Sequence, residues 1–289
     1  MSVSRASVST VATDRSPATV AELVRERYGD DVPGDVASSA VIAHQLAHRS
    51  VRRYLPDDVT EAELTAIVAA AQSAATSSNL QLWSVVAVRD AGSRRALAAL
   101  AALAGGQRHV KRAPLLLVWL VDLSRARAVA AAHEAPTEGA EFLETAVVGF
   151  VDAALAAQNA TLAAESLGLG TVYIGALRNR PEQVAEVLGL PPHVFAAFGL
   201  VVGRPDPDEA PRIKPRLAQA AVLHHESYDT DVHLPQVAAY EGRIAAFYAD
   251  EGLEHSWTSR VLARLSGPDA LSGRDRLGAA LRAQGFELR

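Results

Sequence analysis

The 289-residue chain has no cysteine, a single methionine at position 1 and only 5% aromatic residues. Without cysteine there are no thiolate nucleophiles, no disulfides, no cysteine-ligated zinc and no cysteine-held iron–sulfur clusters. Redox chemistry, where there is any, has to come from a bound cofactor. Charge of one sign is also scarce. The 28 Lys and Arg against 33 Asp and Glu leave a net charge of -5, which supplies no global field for nucleic acid or an anionic membrane, so any anion site has to be local. The longest clean apolar runs, 96–104 and 115–121, stop well short of the roughly 20 residues that a bilayer crossing takes. The first 17 residues (MSVSRASVSTVATDRSP) are rich in Ser, Thr and small residues and lack the apolar core of a secretory signal. The default expectations are a flexible N-terminal extension over 1–35, a cytoplasmic location and no membrane partner.

What is present is mostly helical. Periodicity predicts helices over 19–28, 41–47, 61–75, 93–103, 142–167, 181–188, 236–249 and 274–283. Thr60 stands three residues before Glu63, the spacing of a capping box. The segment 142–167 is apolar on nearly every face, which predicts a central buried helix. Short runs at 83–88, 115–121, 171–174 and 198–202 read as strands, with another strand-like segment at 221–224. Strands scattered singly among long helices predict an α+β fold, a three-layer sandwich around one modest sheet. The proline-rich stretch 203–215 reads as an excursion within one domain, 36–289, that ends in helical segments.

Four segments could carry chemistry. His48-Arg49-Ser50-Val51-Arg52-Arg53-Tyr54 concentrates guanidinium forks and a short hydroxyl, the donor set that a dianionic phosphate needs; a solvated basic turn is the alternative. Lys214-Pro215-Arg216 is a second basic cluster, able to close on the same anion or to sit on a surface loop. Thr76-Ser77-Ser78-Asn79 offers short polar groups to the edge of a planar heterocycle, or simply ends a helix. The glycines of Leu167-Gly168-Leu169-Gly170-Thr171-Val172-Tyr173 are no dinucleotide fingerprint, because Tyr173 takes the sixth place and a helix precedes them. They fit a helix stop followed by a strand, with Gly175 leaving room for a ligand near the backbone. His44 and His48 have the four-residue spacing of a zinc protease, but Gln45 replaces the required glutamate. No G-x-S-x-G elbow occurs.

In this order, the segments from about Ile42 to Trp257 resemble the nitroreductase superfamily, most closely its oxygen-insensitive NADPH nitroreductases and flavin reductases. The most specific match runs from Val151-Asp152-Ala153 through Ala164-Glu165-Ser166-Leu167-Gly168-Leu169-Gly170 to Tyr173-Ile174-Gly175. The resemblance implies a central, mainly antiparallel sheet, an intertwined homodimer, and one FMN at each of two sites shared between subunits. It assigns His48, Arg49, Ser50, Val51 and Arg52 to the N-terminal flavin motif and Lys214, Pro215 and Arg216 to a second phosphate cluster. Thr76, Ser77, Ser78 and Asn79 match the loop lining the isoalloxazine, from the partner subunit. Gln107 matches a hydrogen-bonding partner of the flavin, and Tyr173, Ile174, Gly175 and Ala176 match the backbone near its reactive N5 edge. The chemistry then belongs to the cofactor: NADPH or NADH donates a hydride, and a nitroaromatic, quinone or flavin acceptor takes two electrons in ping-pong alternation. No dedicated catalytic side chain and no metal is implied. A non-catalytic flavin- or nucleotide-binding sensor and a narrow biosynthetic redox role are alternatives on the same residues.

One stretch departs from the family. NADPH-using members carry arginines before the matching tryptophan, where this chain has Asp250, Glu251 and Glu254 ahead of Trp257. Those acids repel a 2'-phosphate unless Arg260 or Arg264 reaches in. Weaker discrimination against NADH than in NADPH-using members is expected; a strong NADPH preference in kcat/KM for the two nucleotides would overturn it.

Overall fold

Leu115–Asp122 opens with seven consecutive apolar residues, a pattern that suits a strand covered on both faces. In the structure of the protein, a computed structural model that describes residues 18–29, 35–209 and 211–289, this strand (β2) is buried at all eight positions. It lies inside a four-stranded sheet with β1 (Trp83–Arg89), β3 (Gly170–Ile174) and β4 (Val194–Gly203). The order is β1-β2-β4-β3, with every pairing antiparallel. Alternation along β2 builds the layers. Leu115, Leu117 and Trp119 pack with Ile67 and Ala71 of α3 (Glu61–Gln72) and with Ala156, Ala157, Ala160 and Ala164 of α7 (Leu143–Ser166). Leu116, Val118 and Leu120 pack with Leu97 and Leu100 of α4 (Asp90–Leu103) and Val184 of α8 (Pro181–Leu188). Helices on both faces of one antiparallel sheet make the expected three-layer α+β sandwich.

The helix α3 starts on the expected capping box, with Thr60 and Glu63 bonded reciprocally. Other boundaries move. The strand β4 begins at Val194, four residues early, because sheet pairing overrides the weak strand preference of Ala196 and Ala197. The segment 221–224 is not a strand: a single 3-10 turn covers Gln219–Ala221, and it pairs with no sheet edge. Short helices α5 (Arg108–Lys111), α6 (Ser124–Ala132) and α10 (Trp257–Leu265) join the expected ones, and α9 (His233–Ala249) starts a turn earlier than the periodicity placed it. The last helix, α11, spans Leu277–Ala283.

The helix α7 is only half of the expected buried helix. Its inner face is built of small residues, among them Ala146, Gly149, Ala153, Ala156 and Ala160, while Leu143, Val147, Val151 and Leu155 form an exposed stripe at four-residue intervals. By length and apolar composition this one helix could cross a bilayer, yet its small face packs on the sheet as a core helix does.

The N-terminal segment also differs from expectation. Residues 1–17 and 30–34 lie outside the described residues, but α1 (Val20–Tyr28) packs on α2 (Ala40–Leu46) with Val20, Leu23 and Val24 buried, so this part of 1–35 is no free tail.

Gly170 fixes how the chain after α2 meets the sheet. A Cβ there would lie 2.7 Å from Val51 Cγ2 and 2.8 Å from Val51 Cβ. Gly170→Ala is therefore expected to cost about 1–3 kcal/mol through overpacking, read as a lower urea midpoint; an unchanged midpoint would mean that Val51 can retreat freely.

Candidate functional site

Leaving α2, the chain runs extended along the free edge of β3. Ser50 bridges Thr171 in parallel register, Val51 N donates to Thr171 O (2.9 Å), and Tyr54 bridges Pro205. Val51 is buried against Gly170, so its side chain serves packing. His48 and Thr171 both meet one carboxylate of α7: His48 Nδ1 lies 2.7 Å from Glu165 Oε1, which accepts from Thr171 Oγ1 at 2.6 Å. His44 meets α7 too, at Leu162 O (2.9 Å). Arg53 turns away to Asp206 (2.7 Å), whereas Arg49 and Arg52 remain exposed.

The second basic cluster arrives from the far end of the chain. Lys214 Nζ donates to the Tyr248 hydroxyl (2.9 Å), Pro215 is buried, and Arg216 is exposed. The two clusters meet. His48, Arg49, Ser50, Arg52, Lys214 and Arg216 line one cavity of about 290 Å3, together with Arg212, Phe247, Glu209 and Glu251. Among the described residues, neither acid forms an ion pair with Arg49, Arg52, Lys214 or Arg216. Glu209 is engaged by the backbone N–H groups of Arg52 (3.1 Å) and Arg53 (2.6 Å). Arg49 and Arg216 bond only backbone carbonyls, and the Arg52 guanidinium has no hydrogen-bond or ion-pair partner among the described residues. Only Arg212 is paired, with Asp250 at 3.2 Å. Three unneutralised guanidinium groups beside an ammonium and a hydroxyl form a receptor for a small, multiply charged oxyanion.

The remaining candidates sit around this cavity at different distances. Tyr173, Ile174, Gly175 and Ala176 continue the β3 edge beyond the pairing with Ser50. The Tyr173 hydroxyl lies 3.0 Å from Thr161 Oγ1, and its ring meets Phe198 edge-on at 5.6 Å. Burial pushes the Tyr173 phenol above its ordinary pKa. Ile174 points into the core, and Gly175 leaves room that a Cβ would take up 3.3 Å from Arg178 Nη2. Gln107 precedes α5, donates to Ala104 O (3.0 Å) and does not line the basic cavity. Its segment does approach Arg52: burial first, then Arg52, push His109 below the ordinary imidazole value.

The loop 76–79 is held elsewhere. The buried carboxylate of Asp152 accepts from Thr76 Oγ1 (2.6 Å), Ser77 N (3.1 Å) and Leu82 N (3.1 Å). Ser78, Asn79 and Gln81 adopt left-handed backbone conformations, with φ of 49, 56 and 54°. Along α7, Asp152 and Glu165 stand about 20 Å apart at the helical rise. Within one chain the loop meets the middle of this helix and the cation cavity lies near its C-terminal end. Sequence reasoning gave no role to Asp152, quoted only as part of the alanine-rich family match, or to Arg27 in the last turn of α1. A larger cavity of about 750 Å3, lined from Gln219 to Val232, contains none of these residues.

The model of the nitroreductase family matches residues 46–204, and that of the family's C-terminal domain matches residues 214–289. The chain belongs to the nitroreductase family. It is 40% identical over 215 residues to the oxygen-insensitive NADPH nitroreductase of Salmonella typhimurium, covering 74% of this chain and 85% of that protein. Over 209 residues it is 40% identical to the FMN reductase [NAD(P)H] of Bacillus subtilis, covering 72% and 82%. Among solved structures it resembles the NADPH:FMN oxidoreductase from Vibrio harveyi complexed with NAD+, with a TM-score of 0.77, 35% identity, and coverage of 87% of this chain and all of that one.

Replacing Asp152 by Ala leaves three donors around a buried vacancy. A loss of about 1–3 kcal/mol in unfolding free energy is expected, with faster amide exchange concentrated in 76–82; uniform exchange across the chain would contradict the anchoring role.

Proposed function

We propose that the protein is an FMN-dependent NAD(P)H oxidoreductase that reduces nitroaromatics, quinones or flavins and works as a homodimer. The observation that carries this is the convergence of Arg49, Arg52, Lys214 and Arg216 with Ser50 on one cavity, which fits the phosphate end of FMN. FMN, when bound, supplies two-electron hydride chemistry, with NADPH or NADH as donor and a small oxidised molecule as acceptor, alternating in ping-pong fashion.

The chain's own residues do the positioning. Arg49, Arg52, Lys214 and Arg216 hold the phosphate, and His48 is kept in place by Glu165. The Tyr173–Ala176 stretch runs beside the ring, with Gly175 giving the close approach that a side chain would block. Gln107 addresses the ring or ribityl chain from the segment that nears Arg52. The dimer answers the separation along α7: the 76–79 loop of a second copy completes the site. Supporting this are the exposed stripe Leu143, Val147, Val151 and Leu155, and Leu80, exposed on that same loop.

The visible spectrum of the purified protein is the direct check, since a preparation that stays colourless with added FMN overturns the proposal. The double change Arg52→Ala and Arg216→Ala removes two charge-assisted contacts of about 1.5–3 kcal/mol each and is expected to weaken FMN binding by roughly 100-fold or more without unfolding the chain. Stoichiometric flavin retained by the double variant would refute the phosphate assignment.

A further inference from the structure

The helix α1 ends where the two basic clusters meet. Its last turn carries Arg27, which is 5% exposed. From there the guanidinium donates from Nε to Leu46 O (2.9 Å), from Nη2 to His48 O (2.6 Å) and from Nη1 to Lys214 O (3.3 Å). The backbone closes the contact in return, since Arg216 N donates to Arg27 O (2.8 Å). One residue thus ties both walls of the cation cavity together through four hydrogen bonds. A guanidinium suits the task because its donors are spread over a rigid planar fork that fits three separated carbonyls, whereas the three donors of an ammonium radiate from a single atom.

The location is informative as well. The family model begins at residue 46, so α1 lies ahead of the part of the chain that it matches. Other ties between the two segments are the Glu209 bonds to Arg52 N and Arg53 N, the Arg53–Asp206 ion pair, the bonds from Asp206 N to Arg53 O and from Leu55 N to Arg204 O, and the Tyr54–Pro205 bridge. Those involve residues 52–55, whereas Arg27 binds residues 46 and 48, so it is α1 that joins the His48 end of the first wall, held on its other side by Glu165, to the Lys214–Arg216 wall. Burial and the neighbouring Arg216 both push Arg27 below the usual arginine value, as expected of a positive charge held behind a cavity that already gathers cations.

We propose that Arg27 is a positioning residue and α1 a clasp, which together hold the His48 wall and the Lys214–Arg216 wall at the spacing a flavin phosphate requires and slow the release of the cofactor. This rests on the flavin assignment above. The phosphate itself is gripped by the side chains already named, while Arg27 acts through the backbone that carries them.

The test uses the full-length protein loaded with FMN, as wild type, Arg27→Ala and Arg27→Lys. Flavin dissociation is followed by the recovery of free-flavin fluorescence, and Tm is measured with and without FMN. Arg27→Ala is expected to raise the FMN Kd and off-rate by about tenfold or more, the scale of one lost hydrogen bond to a charged group. It should also shrink the FMN-induced rise in Tm, which follows the affinity. Arg27→Lys should fall between the two, because it keeps the charge but not the fork. If Arg27→Ala does not fold, an off-rate faster than wild type in Arg27→Lys supports the clasp, and a wild-type off-rate there overturns it. Equal losses of Tm with and without FMN at unchanged Kd would reduce Arg27 to a structural role and overturn the inference. A wild-type protein that takes up no FMN overturns the flavin assignment itself, whereas flavin-binding wild type with an unaltered Arg27→Ala overturns only the clasp.

Discussion

The close approach of α7 to the central sheet is the constraint on which the other features depend. Only small residues let a helix lie that near two strands, and the inner face of α7 is accordingly Ala, Gly and Thr. A Cβ on Gly149 would collide with Val121 Cγ1. On such a face any larger group must have a specific partner, and the two acids there do. Asp152 takes up the donors of the 76–82 loop, and Glu165 takes up His48 and Thr171. Thr161 lies between them against the Tyr173 hydroxyl. Three candidate segments are therefore set by the spacing of side chains along one rigid helix, which also separates the loop from the cation cavity.

Electrostatics then sets that cavity apart from the paired arginines elsewhere. The chain is acidic overall, and Arg53, Arg89, Arg204 and Arg289 are paired with carboxylates. Around the cavity the acid is diverted. Glu209 is committed to backbone N–H groups and Asp250 to Arg212, so Arg49, Arg52 and Arg216 keep their charge for something else. Leaving like charges close together costs free energy in the unliganded state, and a bound anion returns it; this makes the cavity a binding site more than a source of stability.

Much of the architecture was legible because it rests on local pattern. The apolar run at 115–121 reads as a strand, and Thr60 with Glu63 marks a helix start. The basic segments at 48–52 and 214–216 were visible as clusters, though composition could not show that they share a cavity. What stayed hidden depends on distant partners. The strand β4 recruits alanines because β2 and β3 flank it on both sides. The run 221–224 has strand-like residues and no edge to join. Asp152 looks like a lone acid on an apolar helix, and Arg27 like an ordinary cation in a helix's last turn. Their roles arise from backbone groups 19 to 187 residues away in sequence, which no periodicity encodes.

The acidic stretch before Trp257 acquires a sharper meaning from its position. Glu251 is itself among the side chains lining the cation cavity, and Asp250 is already satisfied by Arg212. A phosphate seated among Arg49, Arg52, Lys214 and Arg216 meets four cations before it meets Glu251, and at contact distances in a half-enclosed cavity those attractions dominate. A second phosphate arriving near 250–254 meets Glu251 and Glu254, with Arg212 already paired and Arg260, which lies near enough to His255 to help lower its pKa, as the cation left to it. On the proposed assignment the same surface offers a resident anion four cations and a transient one a mixed field, which suits a protein that keeps its cofactor through many exchanges of donor and acceptor. The clasp proposed for α1 acts in the same direction, because it fixes the backbone that carries those cations.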